Sequence, residues 1–208
     1  AILLCGTNNF VVTQSAGGDV QWDLGADCPP EDVANGVRAI AQVFRRKLPQ
    51  TRVIMMGILP VADKTKWAKC QQVNAVNAAL SCNNSEVVYL DLQDKFLQPD
   101  GSINKQLFTE GTHLTAKGYK VWAKSLDDLV VGMIKAEPLD PVKIMLIGGS
   151  ITEGVNSDRS YRRYLDGMLR REGNLIDFIG SRRKHNNNQT EPDSYQYDID
   201  HEGHWGKN

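Results

Sequence analysis

The sequence predicts a three-layer α/β/α sandwich built around a five-stranded parallel sheet. Five short apolar runs, each bounded by glycine or a polar turn, are typical of buried parallel strands. Helical patterns lie between most of them, and strands that alternate with helices indicate a parallel sheet covered on both faces. A chain of 208 residues with 41% hydrophobic content is long enough to bury the core of one such domain.

The predicted elements alternate along the chain. The strands are residues 2–5, 52–56, 87–92, 143–147 and 175–179, and the helices are residues 30–48, 66–80, 115–135 and 161–171. The first helix opens with a proline, and its apolar residues recur at the helical period, at Val33, Val37, Ile40, Ala41 and Phe44. Residues 12–29 and 181–208 show neither period, and we expect the first of them to be a surface loop near a functional site.

Composition and charge argue against two classes of protein. The net charge is −1, and the basic cluster Arg182-Arg183-Lys184 is short, so the sequence favours a solvated loop there over a nucleic-acid site. Apolar runs all fall short of the ~20 residues that span a bilayer, and residues 1–5 are too short for a signal peptide. We therefore expect a soluble, mature chain with neither a nucleic-acid nor a membrane partner.

Cysteines and glycosylation sequons favour an extracellular location. Cys70 and Cys82 flank one predicted helix, so a disulfide between them is one option among the pairings of four cysteines. Two acceptor triplets, Asn83-Asn84-Ser85 and Asn188-Gln189-Thr190, fall in polar stretches. Such triplets are common by chance, but together with the cysteines they indicate a secreted protein.

Ser150 is the candidate nucleophile. An apolar strand pattern over residues 143–147 breaks at Gly148-Gly149, and Ser150 follows at the turn. Such a turn exposes a side chain at the carboxyl end of a parallel strand, where backbone amides can receive an oxyanion. Taken alone, Gly-Gly-Ser more often marks a structural strand-to-helix turn, so the interpretation needs a base elsewhere in the chain.

His113 is the candidate base. It lies three residues after Glu110 and just before Thr115, which has the residue type of a helix N-cap. An imidazole held at the entrance of a helix can take a proton from a serine, and a nearby carboxylate can orient its ring. The alternative for this residue is a surface histidine in a capping loop. Because Ser150 is present as a candidate nucleophile, we interpret His113 as its base and Glu110 as the acid that orients the base.

Four short blocks resemble those of the SGNH (GDSL-like) hydrolases. Besides the serine and histidine blocks, Gly6-Thr7-Asn8-Asn9 resembles the family's Gly-x-Asn-Asp block. The run His201-Glu202-Gly203-His204-Trp205-Gly206 resembles the block with the oxyanion-hole glycine, as written in carbohydrate acetylesterases. The resemblance implies a flavodoxin-like fold and a serine esterase that needs no metal and no organic cofactor. It assigns the oxyanion hole to Asn8, Gly206 and the Ser150 amide.

The chain departs from the family pattern at three positions. Gly149 stands where the family usually has Asp before the nucleophile, Glu110 where it has Asp before the histidine, and Asn9 where the asparagine block ends in Asp. Because Glu is one methylene longer than Asp, we expect Glu110 to orient His113 from a different angle or to leave that task to a backbone carbonyl.

The order of the blocks is reversed relative to the family, because the histidine block precedes the serine block here. We treat residues 1–208 as one domain: residues 1–137 carry the Asn8 and His113 blocks, residues 141–208 carry the Ser150 and Gly206 blocks, and residues 136–141 link them. A circular permutation, the junction of two tandem repeats, or missing residues would each explain this order. If residues 141–208 are placed before residues 1–137, residue 208 leads directly into the strand predicted at residues 2–5. A parallel crossover needs a connecting segment there, usually a helix, and the sequence has none at that junction. A homodimer or a tandem-repeat neighbour that completes the site is therefore kept open.

Two further residue pairs are weaker candidates. Trp205 and Trp22 could stack on a sugar ring or fill the hydrophobic seam. His201 and His204 have the spacing of metal ligands, but no third ligand cluster accompanies them in the sequence, so we expect no metal site.

The sequence therefore predicts a serine esterase that removes short acyl groups, especially acetyl, from a carbohydrate through an acyl-enzyme. The alternative is a short-chain lipid ester hydrolase, because Gly6-Thr7-Asn8-Asn9 and Ile58-Leu59-Pro60 resemble platelet-activating-factor acetylhydrolase subunits. A catalytically inactive carbohydrate-binding module is the remaining alternative.

Overall fold

The computed structural model describes residues 1–10, 28–81, 87–134, 140–154, 160–183 and 197–204. Its sheet contains β1 (Ile2–Leu4), β2 (Val53–Met56), β3 (Val87–Leu90), β4 (Val142–Gly148), β5 (Ile176–Ile179) and β6 (Glu202–Gly203). Its helices are α1 (Pro30–Lys47), α2 (Lys64–Ser81), α3 (Gln93–Phe96), α4 (Ala116–Met133), α5 (Ser150–Glu153) and α6 (Tyr161–Arg171). A 3₁₀ turn covers Thr7–Asn9.

The centre of the sheet is the parallel pair β1 and β4. The strand order is β3-β2-β1-β4-β5, and β6 pairs with the carboxyl end of β4. If β4 and β5 are renumbered 1 and 2, and β1, β2 and β3 are renumbered 3, 4 and 5, the strand order reads 2-1-3-4-5. This is the order of flavodoxin-like sheets. The predicted α/β fold with five parallel strands is confirmed, and the structure adds the two-residue β6 as a sixth strand.

The side chains on the two faces of the sheet pack into separate core layers, because successive residues of a strand point to opposite sides. One face packs under α1 and α2, where a buried cluster contains Leu3, Val37, Ala41, Val53, Met55 and Val87. The opposite face packs under α4 and α6, where the largest cluster includes Ile2, Leu4, Ile54, Met56, Ile144 and Leu146. Together the sheet and the two helical layers form the predicted α/β/α sandwich.

Aromatic stacking joins α4 to α6. The Trp122 and Tyr161 rings are both fully buried, and their centroids lie 4.0 Å apart with an interplanar angle of 24°. The Tyr119 ring, one turn earlier in α4, lies nearly parallel to the Trp122 ring, with 6.5 Å between the centroids. Since large aromatic rings bury much apolar area per residue, we expect this stack to contribute strongly to the packing of α4 against α6.

Several elements differ from the sequence prediction. β1 and β3 end before the predicted boundaries, and α2 begins two residues earlier, at Lys64. The short helices α3 and α5 and the strand β6 were not predicted, because elements of two to four residues are too short to show a period. None of the described helices combines the length and apolar character that crossing a bilayer requires.

The optional disulfide between Cys70 and Cys82 is wrong for this structure. Cys70 is a free thiol, fully buried in an apolar cluster with Phe10 and Val73. Along α2, the rise from Cys70 to the last helical residue before Cys82 is roughly 16 Å, more than twice the ~7 Å that a disulfide can bridge. Cys82, both sequons and residues 136–139 of the linker lie outside the described residues, so the extracellular location stays a prediction.

Replacing Trp122 by alanine tests the aromatic stack. We expect Trp122→Ala to lower the free energy of unfolding by about 3–5 kcal/mol, because it removes a fully buried ring and leaves a cavity. Leu48→Ala, at a residue that is 50% exposed, is the control, with an expected change within about 0.5 kcal/mol. Urea denaturation measures both, and equal losses in the two variants would contradict the assigned role of the stack.

Candidate active site

The Ser150 turn lies at the carboxyl edge of the central strand pair. β4 ends at Gly148, and α5 begins at Ser150, with Gly149 between them. A Cβ atom at Gly148 would lie 2.3 Å from Thr152 Oγ1 and 2.4 Å from the Leu4 carbonyl oxygen, so only glycine fits there. Ligands of open α/β sheets bind between two neighbouring strands whose following connections run toward opposite edges of the sheet. Here those strands are β4, which is followed by β5, and β1, which is followed by β2.

The His113 turn is fixed by backbone hydrogen bonds. The Thr109 N–H donates to the His113 carbonyl at 2.8 Å, next to an antiparallel bridge between Phe108 and Leu114. Gly111, at the tip, has φ +91° and accepts a hydrogen bond from the Ala62 N–H at 2.8 Å. After the turn, the Thr115 hydroxyl accepts from the Gly118 N–H at 3.2 Å, which confirms Thr115 as the N-cap of α4.

The structure brings the predicted serine, histidine and glutamate together within one chain. His113 Nε2 lies 2.9 Å from Ser150 Oγ. On the other side of the ring, His113 Nδ1 contacts Glu110 Oε1, which also accepts the His113 backbone N–H at 3.0 Å. With the proton on Nδ1, facing the carboxylate, Nε2 is free to accept the serine hydroxyl proton. The longer Glu110 side chain therefore reaches the imidazole directly, and the alternative of an orienting backbone carbonyl is not what the structure has.

The Glu110 carboxylate is held in its ionised form. Burial raises its pKa, but hydrogen bonds from the Thr109 hydroxyl and from His113, together with the attraction of the His113 ring, outweigh that effect. The net result is a Glu110 pKa below its ordinary value. Because the side chain is 48% exposed, solvent screens this attraction, and the effect is one of orientation more than of stability.

Asn8 reaches the same site from β1. The 3₁₀ turn that carries it begins after Gly6, whose φ of +114° and close approach to Ile58 require glycine. Phe10 follows the turn and is fully buried, so it anchors this segment in the core. Asn8 and Ser150 line one cleft of about 270 Å³, and their assignment to an oxyanion hole stays a prediction.

The β6 segment approaches the serine turn from the other side. Glu202 and Gly203 pair with Ile147 and Gly148, and the His204 N–H donates to the Gly148 carbonyl at 2.8 Å. The predicted oxyanion-hole residue Gly206 and the predicted sugar-stacking residues Trp205 and Trp22 lie outside the described residues.

The two histidines with metal-like spacing have protein partners. His201 is fully buried, and its Nδ1 accepts the Gly203 N–H at 2.9 Å. His204 Nε2 lies 2.9 Å from Glu202 Oε2. Within the ranges that the structure covers, no group of three or more His, Cys, Asp or Glu side chains could hold a metal ion.

Comparison with known proteins assigns a family to this geometry. The model of the GDSL-like lipase/acylhydrolase family matches residues 1–121, more than half of the chain, including Asn8, Glu110 and His113. The chain belongs to this family. The match ends before Ser150, so it does not test the prediction that Ser150 is the nucleophile of this GDSL-like chain.

Relatives of this GDSL-like chain include two subunits of platelet-activating factor acetylhydrolase IB. Rat platelet-activating factor acetylhydrolase IB subunit alpha2 is 32% identical over 113 residues, covering 52% of this chain and 48% of the relative. The human alpha1 subunit is 28% identical over 106 residues, covering 50% and 46%. A solved GDSL-like lipase from Bacteroides thetaiotaomicron is 16% identical with a TM-score of 0.43, covering 50% of this chain and 54% of that one. The chain spans about half the length of the curated relatives it matches.

Sequence reasoning missed a set of buried charges beneath the serine turn of this GDSL-like chain. Arg162, which is 1% exposed, donates to the carbonyls of Thr152 at 3.1 Å, Ile199 at 2.9 Å and Glu153 at 3.3 Å. The Glu153 carboxylate, fully buried, pairs with Arg182 at 2.8 Å. These contacts tie α5 to α6 and to the segment before β6. The sequence feature that could have indicated these buried charges is Arg162, which directly follows Tyr161 on the buried face of α6.

Two glycines with positive φ give a matched test of the His113 turn. At Gly111 an added Cβ would lie 2.6 Å from Ala62 Cβ, whereas at Gly101, with φ +79°, it would meet nothing within 4 Å. We expect Gly101→Ala to cost about 1–2 kcal/mol of unfolding free energy through its left-handed backbone. Gly111→Ala should cost about 1–3 kcal/mol more through overpacking. Denaturant titration of both variants measures the difference, and equal costs would show that the turn does not depend on its contact with Ala62.

Proposed function

We propose that this chain is a serine ester hydrolase that works through an acyl-enzyme. The observation that carries the proposal is the 2.9 Å contact between His113 Nε2 and Ser150 Oγ, with Glu110 on the opposite ring nitrogen. A serine hydroxyl becomes a useful nucleophile when a base within hydrogen-bond reach takes its proton, and a third group keeps the base in the right tautomer. Membership of an acylhydrolase family supports the same chemistry.

In the proposed first step, Ser150 Oγ attacks the ester carbonyl carbon while His113 Nε2 takes the hydroxyl proton. The carbonyl oxygen becomes an oxyanion, which the Ser150 amide and the Asn8 side chain would stabilise. His113 then gives its proton to the departing alcohol, and the acyl group stays on Ser150. In the second step His113 Nε2 takes a proton from water as the water oxygen attacks the acyl carbon. The bond between that carbon and Ser150 Oγ then breaks, His113 returns the proton to Oγ, and the acid leaves. Glu110 holds the ring and stabilises its protonated form throughout.

The substrate class follows from the cleft and from the relatives. The surface of the cleft beside Ser150 is mostly apolar, and the named relatives are platelet-activating factor acetylhydrolase subunits. Both favour an ester with an apolar, lipid-like part, which was the alternative expectation. Deacetylation of a carbohydrate is the second candidate. It rests on the likeness of residues 201–206 to carbohydrate acetylesterases, of which the last two lie outside the described residues.

Hydrolysis of p-nitrophenyl acetate by the wild type and by Ser150→Ala tests the proposal. We expect the wild type to release p-nitrophenol and Ser150→Ala to lose activity by about 10³-fold or more, because it has no nucleophile. Ser125→Ala, on α4, is the matched control and should keep wild-type activity. Equal rates in wild type and Ser150→Ala would refute the hydrolase and favour the inactive binding module, which glycan binding would then support.

A substrate panel separates the two ester classes. Acetylated xylan and a short-chain phospholipid ester are offered to the same wild-type preparation, with Ser150→Ala as the blank. Faster Ser150-dependent release of acid from the phospholipid supports the lipid-like substrate. Faster Ser150-dependent release of acetate from the polysaccharide would instead support the carbohydrate ester as the substrate.

Glu110→Gln tests the orienting carboxylate. We expect kcat to fall on the order of 10²-fold, because the neutral amide stabilises the protonated ring less well.

The same variant tests the pH dependence of stability. The pKa of Glu110 is lower in the folded protein than its ordinary value of 4.5, so the ionised carboxylate stabilises the fold at pH values above 4.5. This contribution is lost as the pH falls from 4.5 through the lowered pKa. The stability difference between wild type and Glu110→Gln should therefore narrow below pH 4.5. Urea titrations at pH 7 and pH 4 measure it, with Glu172→Gln as the control for loss of a surface carboxylate.

A further inference from the structure

The helix that begins with Ser150 is too short to hold its own shape. α5 covers only four residues, and it is closed by two main-chain hydrogen bonds. The Glu153 N–H donates to the Gly149 carbonyl at 3.0 Å, and the Gly154 N–H donates to the Ser150 carbonyl at 2.9 Å. The last carbonyls of a helix have no N–H partner within it, and a single helical turn is not stable by itself. The nucleophile turn therefore needs support from outside α5.

Arg162 supplies part of that support from α6. Its Nε donates to the Thr152 carbonyl at 3.1 Å, and a terminal nitrogen donates to the Glu153 carbonyl at 3.3 Å, so the guanidinium binds the end of α5. The other terminal nitrogen donates to the Ile199 carbonyl at 2.9 Å, in the segment before β6. One planar group thus joins two segments that are distant in the sequence.

The segment before β6 leads directly onto the serine turn. Gly203 in β6 pairs with Gly148, the last residue of β4 before the turn. A Cβ atom added at Gly203 would lie 2.6 Å from the Glu153 nitrogen, so the main chains of β6 and α5 touch. Because closely packed segments leave no room for independent movement, a shift of residues 197–204 would displace α5 as well.

Packing alone does not account for an arginine at position 162. The side chain is 1% exposed and lies on the buried face of α6, which also carries Tyr161, Leu165 and Leu169. Its three hydrogen bonds all go to uncharged main-chain oxygens. Burying a charge costs free energy that an apolar side chain of similar volume does not cost. The fold would therefore be served as well by an apolar residue, and the contacts of the guanidinium are what distinguishes arginine here.

We propose that Arg162 is a positioning residue for the nucleophile. By holding α5 and the segment before β6 together, it keeps Ser150 Oγ at the 2.9 Å from His113 Nε2 that proton transfer needs. It acts through the main chain of α5, since none of its hydrogen bonds goes to Ser150 or His113. The inference rests on the serine ester hydrolase proposed above, and it adds a residue on which the rate of that reaction depends.

Arg162→Lys tests the proposal by the separate values of kcat and KM. Lysine keeps the positive charge but binds through one nitrogen, so it cannot hold both segments. A misplacement of about 1 Å can cost on the order of 10²-fold in rate, and we expect kcat for p-nitrophenyl acetate to fall by about that factor. KM should stay near the wild-type value, because the variant leaves the residues that line the cleft unchanged. A wild-type kcat, or a rise in KM alone, would overturn the proposal.

Arg170→Lys is the matched control on the same helix. Arg170 also binds a main-chain oxygen, that of Ile176 in β5 at 3.0 Å, and it pairs with Asp166 at 2.9 Å. These contacts lie away from the serine turn, so we expect Arg170→Lys to keep the wild-type kcat. An equal fall of kcat in both variants would show a general effect of losing an arginine from α6, and it would overturn the positioning role.

Amide hydrogen exchange measures the anchor without reference to activity. In Arg162→Lys the N–H groups of Glu153, Gly154 and His204 should exchange about 10-fold or more faster than in the wild type, because local opening of α5 and β6 becomes easier. The N–H groups of β2 should exchange at the wild-type rate. Equal acceleration in β2 would indicate a loss of overall stability and would overturn the proposal, as would unchanged exchange in α5. If Arg162→Lys does not fold, Arg162→Gln takes its place under the same criteria.

The outcomes separate this inference from the proposed function. If the wild type hydrolyses the ester with Ser150 dependence and Arg162→Lys keeps its kcat, the positioning role is wrong and the hydrolase stands. If Ser150-dependent hydrolysis is absent from the wild type, the hydrolase is wrong. Hydrogen exchange then decides by itself whether Arg162 holds α5 to the segment before β6.

Discussion

The pairing of β1 with β4 is the interaction on which the rest of the structure depends. Ile2 faces Leu146, Leu3 faces Ile147 and Leu4 faces Gly148 in a parallel ladder at the centre of the sheet. Because both strands run in the same direction, the turn with Asn8 and the turn with Ser150 leave the sheet at the same edge. A slip of one residue would turn every side chain of a strand to the other face, so the two core layers also fix this register.

The contact between Ser150 and His113 then depends on a third part of the chain. His113 belongs to neither central strand, and it is brought in by the turn whose tip, Gly111, binds the Ala62 backbone. Glu110 accepts both the backbone N–H and the ring N–H of His113, so one carboxylate fixes the turn and the imidazole together. This double use explains why the site tolerates a side chain one methylene longer than the aspartate of the family pattern. The reach of the carboxylate and the shape of the turn are set by the same bonds.

The fold could be predicted because strands buried on both faces show as uninterrupted apolar runs, such as residues 53–56, between amphipathic helices. Ser150, His113 and Glu110 could be predicted because their chemistry is specific to side-chain type. β6 could not, since two residues give no period, and its pairing is decided by backbone contact with Gly148. The cleft beside Ser150 was also missed. The apolar stripe of α1 was predicted as a single packing face, and only the structure shows that Val33, Val37 and Ile40 line this cleft whereas Ala41 lies in the core.

Arg162 binds the segment that follows Ser150, and the segment before β6, through main-chain oxygens only, at positions 152, 153 and 199. Every amino acid carries such an oxygen, so the bonds would survive a change of side chain at any of the three acceptor positions. A lysine could not replace the arginine, because a single ammonium group lacks the planar fork that reaches three acceptors at once. These three bonds therefore depend on the side chain of Arg162 and on none of the side chains of its acceptors.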